Sequence, residues 1–184
     1  MTNLYLVRHG KAAAGFGAHA DPGLDDLGRT QANTAAQWLF EQLSPITLLT
    51  SPLARARETA TPLEALWNTT ARTESRVAEL PTPNMDLQQR ASWLQQAMQG
   101  SWSELDESLQ TWRADLGTCL REQTEDVVIF SHYVAINAAV GLASNDSRMR
   151  IFAPDNASIT HLRVDAQGEL QVVELGRTAQ TVVN

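Results

Sequence analysis

Residues 4–10 read Leu4-Tyr5-Leu6-Val7-Arg8-His9-Gly10. An apolar run followed at once by arginine, histidine and glycine describes a buried strand with a functional exit. The design recurs at Val127-Val128-Ile129-Phe130, which runs into Ser131-His132. A shorter run at 46–49 ends just before Ser51-Pro52-Leu53-Ala54-Arg55. Continuously apolar strands belong to sheets covered on both faces. Helical patterns alternate with them. Residues 28–43 carry Ala32, Ala35, Ala36, Leu39 and Leu43 at helical spacing. Ser51 and Pro52 read as the N-cap and first residue of a helix to about 67. Residues 72–80 are weakly extended and end at Pro81-Thr82-Pro83. Two capping-box patterns, Asp86-x-x-Gln89 and Ser101-x-x-Glu104, predict helices over about 86–98 and 101–123. They read as an insertion beside the sheet, with Trp93, Trp102 and Trp112 as core anchors. A helix to about 143 follows Ser131-His132. Residues 157–164 and 169–175 then form a hairpin around Asp165-Ala166-Gln167-Gly168. The expected fold is α/β. It is a three-layer α/β/α sandwich with a mostly parallel central sheet, inserted helices and a C-terminal antiparallel hairpin.

The 184 residues predict one domain over 1–184, with a helical insertion at about 84–123. A chain of this size buries enough surface to need no disulfide or metal staple. Its one cysteine, Cys119, has no partner for an intramolecular disulfide, which fits a reducing compartment. The net charge of −7 argues against extended nucleic-acid or anionic-membrane partners, although a local positive site remains compatible with it. The longest nearly apolar stretch, 134–143, is broken by Asn137 and is far short of a membrane span. With no signal-peptide pattern at the start, the expectation is a cytoplasmic protein.

Ligands of open α/β sheets bind at the carboxyl ends of strands. Here three strand exits deliver Arg8-His9, Arg55 and Ser131-His132 towards one edge. Adjacent strand residues point to opposite faces, so Arg8 and His9 share a site only where the strand has ended. Gly10 is read as the residue that permits the turn. Arg55 falls in the first turn of its helix, where free N–H groups and the dipole add positive potential. Two arginines, a helix N-terminus and a second histidine suit a tetrahedral dianion better than a planar carboxylate. That predicts a phosphoryl site. A nucleophilic imidazole must be neutral at its attacking nitrogen, and neighbouring arginines favour that state for His9. Its other nitrogen needs an acceptor, expected to be a backbone carbonyl of the exit loop. The leaving oxygen needs a proton, so a carboxylic acid of raised pKa is also expected.

Leu6-Val7-Arg8-His9-Gly10 resembles the RHG signature of the histidine phosphatase superfamily, also called phosphoglycerate-mutase-like. The stretch Ser51-Pro52-Leu53-Ala54-Arg55-Ala56-Arg57-Glu58-Thr59-Ala60 is similar to its SPLxRAxxTA segment at every specified position. Val128-Ile129-Phe130-Ser131-His132 resembles the strand bearing its second histidine. Leu27-x-x-x-Gln31-Ala32 resembles the opening of its first helix. The blocks stand in family order and span most of the chain. The resemblance implies a phosphomonoester hydrolase with His9 as nucleophile, forming a phosphohistidine that water hydrolyses. It implies Arg8, Arg55 and His132 as the phosphate pocket. For the proton donor it points to Glu79, within Val77-Ala78-Glu79-Leu80-Pro81, ahead of Glu74, Asp86 and Glu104. No metal and no organic cofactor are implied. The substrate would be a small-molecule phosphate ester or a phosphorylated protein. The alternatives are a mutase-type phosphotransferase and a non-catalytic phosphoryl-binding module. Arg8-His9-Gly10-Lys11-Ala12 is closer to short phosphatase members. Tyr133-Val134 stands where many members have two glycines, and Ala12-Ala13-Ala14 where an asparagine is common.

Other polar residues are assigned ordinary places. Arg57 lies on another helix face from Arg55 and reads as solvated. His161 reads as a strand histidine, with Asn156 just before the hairpin able to reach the pocket rim. His19 and Asp21 lack metal-ligand spacing. Gly15-Phe16-Gly17 lacks the strand and third glycine of a dinucleotide loop.

Overall fold

The apolar runs become neighbouring strands of one sheet. Its members are β1 (Thr2–Arg8), β2 (Thr47–Thr50), β3 (Arg72–Thr73), β4 (Val127–Ser131), β5 (Ile159–Val164) and β6 (Leu170–Glu174). The computed structural model describes residues 1–15, 18–82 and 84–179. Phe16 and Gly17 of the glycine-containing stretch, and Pro83 of the proline pair, lie outside the described residues. The strand order is β3-β2-β4-β1-β5-β6. β1, β4, β2 and β3 pair in parallel, whereas β5 returns antiparallel on β1 and β6 on β5. The hairpin turns at Gly168, whose positive φ suits glycine.

The helices are α1 (Asp26–Gln42), α2 (Ala54–Trp67), α3 (Leu87–Ala97), α4 (Glu107–Arg121) and α5 (Tyr133–Ser144). Each apolar strand divides its side chains between two cores, because alternate residues face opposite ways. Val7, Leu48, Val128 and Phe130 pack with Ala36 and Leu39 of α1 and with Ala56, Ala60 and Leu63 of α2. Leu4, Leu6, Leu49 and Ile129 pack with Leu94 of α3, Leu116 and Leu120 of α4 and Ile136 of α5. This is the expected three-layer α/β/α arrangement with a mostly parallel sheet and a C-terminal hairpin. Trp102 is buried and stacks on Trp112 at 5.8 Å, and Trp93 packs on the same core. Cys119 is buried in that core, where burial pushes its thiol up to about 11. Among the described residues no helix is long and apolar enough to cross a membrane.

Three local readings are corrected. α2 begins at Ala54, not at Pro52, and Leu53 offers no side-chain cap. The Ser51 hydroxyl accepts from Leu53 N at 3.2 Å and lies 2.7 Å from His132 Nε2, so it does not reach the N–H groups of α2. The missing cap comes from a remote loop, where Asp21 Oδ1 accepts from Ala54 N at 2.8 Å. The single helix expected over 101–123 is divided. Glu104 closes back on Ser101 N at 2.8 Å, but only one 3-10 turn forms, Trp102–Glu104. That turn is tied across to the segment after α5 by Trp102 N on Ser147 O. Leu105 is then extended, and Asp106 caps α4 through Leu109 N. Residues 72–80 hold a two-residue edge strand and a 3-10 turn, Ser75–Val77.

Candidate active site

The sheet register brings the two histidines together. Arg8 of β1 pairs with Ser131 of β4, so His9 and His132 leave adjacent parallel strands side by side. Their ring centroids are 5.3 Å apart. His9 N still bonds to Ser131 O at 3.0 Å, which keeps the two exits in step. β2 lies on the other side of β4, and its exit carries Ser51 and then Arg55 to the same edge. The Arg55 Nε–H donates to His9 Nε2 at 3.2 Å.

His9 Nδ1 lies 2.7 Å from Gly10 O. A carbonyl can only accept, so the proton sits on Nδ1 and Nε2 carries the lone pair. Burial, and then the charges of Arg8 and Arg55, hold the His9 imidazole well below its ordinary pKa. His132 is likewise lowered, by burial first and then by His9 and the two arginines. Arg8 is buried, with Nη1 on Pro154 O at 2.8 Å and its guanidinium 5.0 Å over the Tyr133 ring. Arg8 Nε and His132 Nδ1 are buried without a partner among the described residues.

Glu79 approaches from the segment after β3. Its Oε2 accepts from Val134 N at 3.2 Å, and its Oε1 from Leu80 N at 3.0 Å and Ala135 N at 3.3 Å. The carboxyl thus caps α5, whose cap residue His132 gives no side-chain bond there. Burial pushes its pKa above the ordinary value, against the N–H bonds and the charge of Arg55. The other acid candidates are engaged elsewhere. Glu74 pairs with Arg76 at 2.8 Å, Asp86 caps α3 through Gln89 N, and Glu104 caps the 3-10 turn. All five leading candidates therefore meet at one sheet edge.

Gly10 needs a different explanation from the one its sequence suggested. Its φ is not positive. A Cβ there would stand 2.4 Å from Gly28 O, and a Cβ on Gly28 would stand 2.1 Å from Lys11 O. The two glycines let the β1 exit cross the first turn of α1. Gln31 Oε1 receives Lys11 N at 2.8 Å, and Thr59 Oγ1 receives Gly10 N at 3.0 Å. Gln31 of α1 and Thr59 of α2 thus hold the His9 loop from both neighbouring helices. Arg90 of α3 adds its charge near Arg55, and Asn156 Nδ2 donates to His9 O at 3.1 Å. Arg90 carried no signal in sequence because its helix reads as an insertion. Arg57 is exposed, and His161 stacks on Tyr5 at 4.6 Å while contacting Asn3.

The profile of the histidine phosphatase superfamily (branch 1) matches residues 4–178. The chain belongs to this family. Solved structures agree on the fold of this histidine phosphatase superfamily member. A mycobacterial glucosyl-3-phosphoglycerate phosphatase superposes with a TM-score of 0.76 at 20% identity, covering 97% of this chain and 100% of its own. A phosphoserine phosphatase from Entamoeba histolytica, bound to 3-phosphoglyceric acid, gives 0.76 at 18% identity, with 97% and 98% covered. YhfR of Bacillus stearothermophilus gives 0.76 at 20% identity, again with 97% and 98% covered. No curated protein sequence matches the chain.

Proposed function

We propose that this histidine phosphatase superfamily member is a phosphomonoester hydrolase that works through a phosphohistidine on His9. One observation carries the reading: His9 Nδ1 lies 2.7 Å from Gly10 O, leaving Nε2 as the basic nitrogen of the pocket. A phosphoryl group entering among Arg8, Arg55 and His132 draws the Arg55 N–H groups onto its oxygens, which uncovers the Nε2 lone pair. Arg8 Nε and His132 Nδ1 gain the partners they lack among the described residues. With the Ser51 hydroxyl, 2.7 Å away, donating to His132 Nε2, the ring proton stands on Nδ1, which meets no acceptor among the described residues. Fixed positive groups meet the charge that spreads over the equatorial oxygens.

Nε2 then attacks phosphorus as the ester P–O bond breaks. The Glu79 carboxyl passes its proton to the leaving oxygen. The Glu79 carboxylate next takes a proton from water, whose oxygen displaces His9 and yields inorganic phosphate. Charge neutralisation comes from guanidinium groups, so no metal is required.

Hydrolysis of p-nitrophenyl phosphate tests this directly. Activity is expected to persist in a chelator and to fall at least about a thousandfold in His9→Ala, together with loss of acid-labile, base-stable phosphoryl label. Label that survives in His9→Ala would move the nucleophile elsewhere. Activity lost to the chelator would overturn the metal-free scheme.

A further inference from the structure

A cleft of about 810 Å³ opens beside His9, far more space than one phosphoryl group fills. Its charged lining consists of Arg8, Lys11, Asp25 and Arg150. Arg8 belongs to the phosphoryl pocket of the reading above. Lys11 Nζ lies 3.1 Å from Asp25 Oδ2, so these two balance each other. Arg150 is exposed and forms no ion pair among the described residues. One cation in the cleft is therefore left without an anion.

Its place is fixed from both sides. Met149 is fully buried, with its N–H on Gly100 O at 3.0 Å. On the other side Ile151 N and Phe152 N both donate to Asn137 Oδ1, at 2.8 and 3.1 Å. The Arg150 guanidinium lies against the Tyr133 hydroxyl, and the ring of that tyrosine lies under Arg8. The free cation thus stands about one phenol ring from the phosphoryl end, on an anchored backbone. An anchored backbone lowers the cost of ordering that charge on a ligand group.

We propose that Arg150 selects leaving groups that carry an anion, a carboxylate or a second phosphate, on the skeleton beyond the ester oxygen. This rests on the phosphatase reading and deepens it. A charge-assisted contact at this rim corresponds to about 10-fold to 100-fold in kcat/KM.

The test compares propyl phosphate with the phosphate ester of β-hydroxypropionate and with propanediol bisphosphate. The wild-type chain is expected to favour at least one acidic ester, and which one distinguishes carboxylate from phosphate. Arg150→Ala should bring that ester down to the level of propyl phosphate. The same variant should leave propyl phosphate and p-nitrophenyl phosphate within about twofold, since neither reaches the Arg150 charge. Arg150→Glu should turn the preference towards the ester of aminopropanol. Equal losses on every ester in Arg150→Ala would overturn the proposal by showing a structural role. So would a wild-type chain that cleaves p-nitrophenyl phosphate without preferring an acidic ester; there the phosphatase reading survives. A wild-type chain that cleaves no ester brings down the phosphatase reading and this one with it.

Discussion

The Gly10 carbonyl and two arginines act on His9 in the same sense, towards a neutral ring with its lone pair on Nε2. The carbonyl holds the proton on Nδ1, while burial and the charges of Arg8 and Arg55 keep a second proton off Nε2. Glu79 is held in the opposite sense, because burial keeps its carboxyl protonated above the ordinary range. The proposed reaction needs a neutral His9 and a protonated Glu79. Its acid limb therefore lies below 6.5, the ordinary histidine value, and its basic limb above 4.5, the ordinary glutamate value. For alkyl phosphates, Glu79→Gln should remove the basic limb and cost about 10²-fold to 10⁴-fold in kcat. The glutamine keeps one oxygen for the α5 N–H groups, so the fold should hold. p-Nitrophenyl phosphate should lose much less, because its leaving group scarcely needs a proton. Equal losses on both esters would assign Glu79 to capping α5 rather than to proton transfer. His9, Arg8, Arg55 and His132 were legible as strand-exit residues. Glu79 was reached through resemblance, since a loop carboxyl has no periodicity to mark it. Asp21 was dismissed as a ligand and turned out to cap α2, a contact across 33 positions that no local pattern encodes.

At the scale of elements, two junctions set the site. The first is the crossing of the β1 exit over α1. Glycine is a poor helix former, and Gly28→Ala would gain about 1 kcal/mol in propensity. A Cβ only 2.1 Å from the Lys11 carbonyl must instead push backbone against backbone. Sterics should win, with a net loss of about 1–3 kcal/mol in urea melts and a fall in kcat as His9 shifts. A variant as stable as wild type would show that the crossing yields easily. The second junction is Asn137, fully buried in α5, whose amide oxygen holds Ile151 N and Phe152 N. Asn137→Leu leaves two N–H groups without that acceptor and should cost about 2–4 kcal/mol. In sequence Asn137 was visible only as an interruption of an apolar stretch. The strands and helices themselves were largely legible, because their periods of 2 and 3.6 are local. The break at Leu105 was not, because Gly100 and Trp102 bond to Met149 and Ser147, which are distant in sequence.

Over the whole molecule, a chain of net charge −7 gathers Arg8, Arg55, Arg90 and Arg150 around one sheet edge. Burying His9 and His132 there ties stability to pH. Both have folded-state pKa values below the unfolded value near 6.5, so protonation favours the unfolded chain. Their contribution is full above about pH 6.5 and is lost as pH falls through the folded values. Glu79, with its raised value, runs the other way: its contribution is full below about 4.5 and fades as pH rises through its folded value. With two histidines against one carboxyl, unfolding free energy should be lower at pH 5 than at pH 7. His132→Gln should flatten that slope, and an unchanged slope would count against burial as its cause. The sequence by itself determined the layered α/β/α fold and the family, since apolar period and the RHG and SPL blocks are properties of consecutive residues. Only the tertiary structure decided how the exits meet. The Arg8–Ser131 register sets His9 beside His132, the glycine crossing aims the β1 loop, and a buried asparagine fixes Arg150 at the rim of the cleft. Those depend on contacts between residues far apart in the chain, and such contacts leave no period in the sequence.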